Sequence, residues 1–142
     1  MHVLRASRLL SALAVVLLLG ACMGGGRPGE ARIPADAKVT HRAVFIGKTL
    51  HDTVGTISLY QSREYPVIVF EPNFRLPGAK AAMVALGRDG FRKGTSLGML
   101  LRNTGRQAYA VPDHLKIDGF NEVWLWHHEK DVALGIARLT PI

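Results

Sequence analysis

From Lys38 onward the sequence predicts an all-β fold: one domain built as an antiparallel β-sandwich or barrel. Three observations carry this expectation. Apolar, β-branched and aromatic residues come in short runs recurring at spacings of about ten residues. Gly, Pro, Asn and Asp stand between those runs, where tight turns need them. No segment has a capped apolar period long enough for a helix; Ala79–Leu86 and Leu97–Leu101 come nearest, and both lack length and caps.

The chain starts with Arg5 and Arg8, an apolar run over Leu9–Leu19, and then Leu19-Gly20-Ala21-Cys22. A basic start, an apolar stretch too short to span a bilayer comfortably and small residues before a cut are the parts of a secretory signal, placed at residues 1–21. The Leu-small-small-Cys ending resembles the bacterial lipobox. That resemblance implies cleavage before Cys22, diacylation of its sulfur and acylation of its new amine. Each buried methylene adds about 0.8 kcal/mol, so two or three chains anchor firmly where one is marginal. Met23, not aspartate, follows the cysteine, which by resemblance to enterobacterial sorting implies the outer membrane. Residues 22–37, with Gly24-Gly25-Gly26-Arg27-Pro28-Gly29, read as a flexible tether.

The strands follow over residues 38–142. Ala43–Ile46 ends at Gly47. Thr53–Tyr60 alternates, with Gly55, Ile57 and Leu59 on one side and Val54, Thr56, Ser58 and Tyr60 on the other. Val67–Phe70, between Pro66 and Pro72, reads as buried on both faces. Ala81–Leu86 follows the Pro77-Gly78 turn and stops before Arg88-Asp89-Gly90, and Gln107–Val111 stops at Pro112, which has no N–H for a ladder. Val123–His128 and Val132–Leu139 read as a closing antiparallel pair joined through Glu129-Lys130-Asp131.

Composition narrows the chemistry. Cys22 is the only cysteine, so its acylation would leave no thiol for redox chemistry, a cluster or a disulfide. The net charge is +7, of which Arg5 and Arg8 supply two, leaving +5 beyond residue 21. Much of it lies between Arg75 and Arg106, where the central cations Arg88, Arg92 and Lys93 are opposed only by Asp89. A basic surface on a tethered domain fits an acidic envelope protein or polymer, or anionic headgroups. Nucleic acid is not expected, because the cations lack interleaved aromatic stacking positions.

The second half carries an ordered set of residues: Leu97-Gly98-x-Leu100, Asn103-Thr104-Gly105-x-Gln107-x-Tyr109-x-Val111-Pro112, Leu115-x-Ile117, Val123-x-Leu125-Trp126 and Val132-x-Leu134-Gly135-x-Ala137-x-Leu139. Upstream stand Phe45-x-Gly47, His51-x-x-x-Gly55-x-Ile57 and Phe74-x-x-Pro77-Gly78. Over residues 42–139 the chain resembles the DM-thirteen domain, a small β-rich extracytoplasmic module of bacterial lipoproteins, which in animals accompanies DOMON domains. The resemblance implies a β fold and an accessory role in electron transfer. Physical reasons exist for each match: the glycines suit positive φ or close approach, and Tyr109 and Trp126 suit rings filling a sandwich core. At the position after the late-strand tryptophan the family typically has a cysteine; here it is His127. The family's Pro-Asp after the central turn is replaced by Ala79-Lys80. Imidazole has no accessible one-electron couple, so a thiol-based role does not transfer.

His127 would bind a soft or borderline metal in place of thiolate. Alternation puts it with Val123 and Leu125, and His128 with Trp124 and Trp126, so the two histidines face opposite ways. Further ligands would come from His51, His41, His114, Met83 or Met99. Ser58, Ser62 and Ser96 lack an activating base, and Glu64 and Glu71 read as solvated, so no catalytic residue is named. No cofactor is predicted, with bound copper or heme left open. The expected function is a non-catalytic docking module on a lipid anchor; electron transfer and metal binding through His127 are the alternatives.

Overall fold

Period-2 patterning and turn residues produce the strand succession in the computed structural model, which describes residues 30–142. The expected signal peptide, Cys22 and the glycine run lie outside the described residues. The strands are β1 (Lys38–Gly47), β2 (Thr56–Gln61), β3 (Val67–Phe70), β4 (Ala82–Gly87), β5 (Phe91–Met99), β6 (Gln107–Ala110), β7 (Glu122–His127), β8 (Val132–Arg138) and β9 (Thr140–Pro141). A 3₁₀ turn, Ile117–Gly119, precedes β7. All pairings are antiparallel, in the order β5-β4-β7-β8-β1-β2-β3-β6, with β9 beside β1.

The fold is thus all-β, and the sheet curls into a nearly closed barrel. β1 makes the curl continuous: Lys38–Val44 pairs with β2, and Phe45–Gly47 pairs with β8. The remaining seam, between β5 and β6, is joined by side chains. The Tyr109 hydroxyl accepts the Leu101 N–H at 2.9 Å and donates to Gln107 Oε1 at 2.6 Å. Gln107 Oε1 also accepts the Arg102 N–H at 3.0 Å, and its Nε2 donates to Arg102 O at 2.8 Å. Burial of Tyr109 pushes its phenol up to about 12, chiefly by removing water from the charged form.

Inward positions form the main core. Phe45, Phe70, Phe74 and Tyr109 pack ring to ring, with Phe70 and Phe74 edge-on at 4.7 Å. Ile57 and Leu59 point inward as their alternation requires. β3 is buried on both faces for a reason that local patterning does not reveal. Its outward Val67 and Val69 form a second cluster with Ala108, covered by Ala31, Ile33, Tyr60 and Tyr65. Residues 30–37, expected to belong to the tether, lie along the barrel as a strap: Ala31 N–H donates to Ala108 O, and the Tyr65 hydroxyl donates to Arg32 O.

Because every neighbour from β5 to β6 along the main path joins an odd strand to an even one, β1, β3, β5 and β7 run the same way, and β9, antiparallel to β1, continues in the direction of β8. The β1–β2, β3–β4, β5–β6 and β7–β8 loops therefore emerge at one end, here the mouth, and the others at the opposite end, the base. The strap spans both. Glu30 pairs with Arg102 of a mouth loop at 3.3 Å, and Asp36 accepts the N–H of Arg63 in a base loop at 3.0 Å.

The first strand begins at Lys38, earlier than its apolar run, and residues 53–55 form a loop, not the start of β2. β5 occupies a stretch where no strand was expected, and Leu97–Met99, weighed as part of a short helix, is its end. Its only buried residue is Thr95, and bulges break its pairing with β4, so it shows no alternation to read.

Candidate functional site

The mouth concentrates unusual backbone. Thr49, Leu50, Ala81 and Asp131 all adopt left-handed φ between 51° and 61°, and all lie in mouth loops; a fifth such residue, Asp89, turns at the base. Non-glycine residues held there cost roughly 1–3 kcal/mol each, and such strain clusters at functional sites. The surroundings impose it. Gly47 lets the β1–β2 loop fold back, since a Cβ there would lie 1.9 Å from His51 O. Gly135 makes room for Thr53, whose hydroxyl donates to Leu134 O at 2.7 Å. Asn103 Nδ2 donates to Ala79 O at 2.7 Å and ties two further loops together.

These loops enclose a cleft of about 540 Å³, lined by Thr49, His51, Lys80, His127, Glu129 and Lys130 among others. His127 is the last inward residue of β7, on the row of Val123 and Leu125, as alternation predicted. It is 8% exposed, and its Nδ1 accepts the Lys130 N–H at 3.3 Å. That bond places the proton of a neutral ring on Nε2, which makes no hydrogen bond among the described residues. His51 lines the same cleft. The other proposed ligands do not: His41 lines a cavity at the base, His114 is in a base loop, and Met83 lies on the outer wall. Among the described residues, no three His, Asp or Glu side chains converge as a metal-ligand set.

A second feature lies on the outer wall. Phe91 stacks on Trp126 at 4.0 Å and 9°, with Trp124 edge-on to Trp126 at 6.2 Å. This corrects the expectation that Trp126 fills the core; only Tyr109 does so. Trp126 Nε1 donates to Asp131 Oδ1 at 3.1 Å, and Trp124 Nε1 donates to Glu122 Oε2 at 2.9 Å. Glu122, buried with its side chain 5% exposed, also accepts the Gly90 N–H at 3.0 Å and thereby positions the β4–β5 turn. From that turn the bulged start of β5 carries Arg92 and Lys93 into the same groove as the aromatic pair. With Met83, His128 and Asp131 they line a groove of about 240 Å³. Among the described residues, neither cation has a carboxylate within salt-bridge distance.

The basic stretch Arg75–Arg106 does not form a single surface. Arg75, Arg102 and Arg106 are at the mouth. Arg88 is at the base, donating to Gly119 O at 2.8 Å and Asp118 O at 3.1 Å, so it braces the 3₁₀ turn and does not join Arg92 and Lys93. Phe91, Thr49 and Lys130 were missed as site residues. For Phe91 a signal existed, an aromatic followed directly by Arg92-Lys93 after a turn. For the other two, only the long-range pairing of the sheet brings them together.

No protein-family model matches the chain, and no curated protein or solved structure matches it either.

Proposed function

We propose that this chain is a lipid-anchored protein of the bacterial envelope, held at Cys22 and facing the periplasm, whose DM-thirteen-like barrel is a non-catalytic docking module. Its docking surface is the outer-wall groove, and its partner is an acidic envelope protein or polymer. The observation that supports this reading most is the Phe91–Trp126 stack in a groove with Arg92 and Lys93, neither salt-bridged among the described residues. Flat aromatic area beside free guanidinium and ammonium groups is the composition of binding hot spots, and a rigid stack loses little freedom on binding. Trp126 fluorescence, titrated with poly-L-glutamate, tests it. A saturable, salt-sensitive change is expected for the wild type, with loss of binding in the Arg92→Glu/Lys93→Glu double variant. Equal binding by both proteins would refute this assignment.

A second reading has its own observation: His51 and His127 line one cleft, with Nε2 of His127 making no hydrogen bond among the described residues. A copper ion held there would restore a route to the electron-transfer role that the family resemblance implies, whereas zinc, which has no redox couple, would occupy the site without doing so. Calorimetric titration with Cu²⁺ and Zn²⁺ decides this; His127→Ala and His51→Ala should each weaken binding at least tenfold.

A further inference from the structure

We propose that the mouth is the membrane-facing end of the barrel, its Leu50 rim resting on the bilayer to which Cys22 is joined. This rests on the lipid-anchor reading of Cys22 and goes beyond it by assigning which surface meets the lipid.

The path of the chain is the first argument. The strap begins at the mouth, where Glu30 meets Arg102, and only then descends to the base. Eight residues, from Cys22 through Gly29, precede Glu30, and at full extension they reach about 28 Å. A base-down barrel would need that reach merely to pass its own wall. A ten-residue strand such as β1, tilted as in a barrel, rises about 25 Å. Almost nothing would remain to meet the bilayer. Mouth-down, eight residues are more than the path to the bilayer requires.

The distribution of exposed apolar side chains is the second argument. Among the described residues, Ile46, Leu50, Val54 and Met99 are large, exposed and at or next to mouth loops; Ile142 is the one at the base, and Val44 lies mid-strand. Leu50 is fully exposed, at 106%, and held in a left-handed conformation. Its loop is pinned over Gly47 and by the Thr53 hydroxyl, so it cannot fold inward to cover the side chain. An apolar side chain held out on a fixed loop is suited to the headgroup–acyl boundary.

Lys48, Lys80 and Lys130 also lie in mouth loops, none with a carboxylate within salt-bridge distance among the described residues, and their stems can lie along lipid while the ammonium groups meet phosphates. Asp52 and Glu129 are in the same loops, so net charge does not drive the contact. Apolar insertion at Leu50 leads, and the lysines follow.

The test uses the full acylated chain in vesicles of phosphatidylethanolamine and phosphatidylglycerol. Single cysteines are introduced as Leu50→Cys at the mouth or His114→Cys at the base, labelled with an environment-sensitive dye, and quenched by doxyl groups on the lipids. Several-fold stronger quenching at position 50 than at 114 is the expected result. Met99→Cys and Asp89→Cys provide a second mouth–base pair should either variant fail to fold. Protein that floats with the vesicles but quenches equally at both ends, or more at the base, overturns this inference alone. Protein that does not float, with Cys22 unmodified by mass, overturns the lipid anchor and this inference together.

Discussion

Tyr109 illustrates how a single side chain sets a condition on the whole fold. Its hydroxyl bridges the seam and its phenol is pushed up to about 12, against 10 in the unfolded chain. Below pH 10 both states hold the proton and the stabilisation is complete. Between pH 10 and 12 the unfolded chain releases it first, so stability should fall by about 1.4 kcal/mol for each pH unit. Denaturant melts across that range check the slope, and Tyr109→Phe should abolish this component. The same variant orphans the Leu101 N–H and should cost about 1–3 kcal/mol at neutral pH. Thr49 works in the other direction. A β-branched residue in the left-handed region costs about 1–2 kcal/mol, and glycine gives back part of that in backbone entropy. Thr49→Gly should therefore raise stability by up to about 1 kcal/mol, read as a shifted urea midpoint. At this scale the sequence was informative where period-2 geometry alone decides. His127 faces inward because Val123 and Leu125 do, and the same count, which set Trp126 on the opposite face, was right against the core assignment its ring suggested. Its indole suits a core equally well, which is why composition pointed the wrong way.

Elements were legible in proportion to their alternation. β3, β6, β7 and β8 fall within a residue or so of their apolar runs, because most of each strand is buried, β7 and β8 despite one register shift in their pairing. β5 was invisible. Its bulge throws Arg92, Lys93 and Gly94 out of register, and a strand without alternation looks like loop. The missed element also carries Phe91, so the docking groove could not be assembled from sequence. The β1–β2 loop was legible only as glycines with a use not yet assigned. Gly47 now has one, and Gly47→Ala should cost about 1–3 kcal/mol or more, because the new methyl collides with backbone that cannot give way. The expected accompaniment is a chemical-shift change at both His51 and His127. A clean melt with an unmoved cleft would show that the loop is not held by this contact.

For the molecule as a whole, the fold class was readable and the closure was not. Strand order depends on which distant runs pair, and nothing local states that β3 takes β6 or that β4 takes β7. The double burial of β3 anticipates a further measurement. Its amides are bonded to β2 and β6, and both faces are covered, so Val67–Phe70 should exchange hydrogen most slowly of all segments. Slower exchange in β5 than in β3 would contradict the packing described. The strap that completes this burial has a mechanical meaning as well. It runs lengthwise from mouth to base, so a tug on the chain upstream of Glu30 acts along it. Its bonds to Ala108, Tyr65 and Arg63 then share the load in shear instead of being unzipped one at a time, and the domain resists being dragged by its own leash.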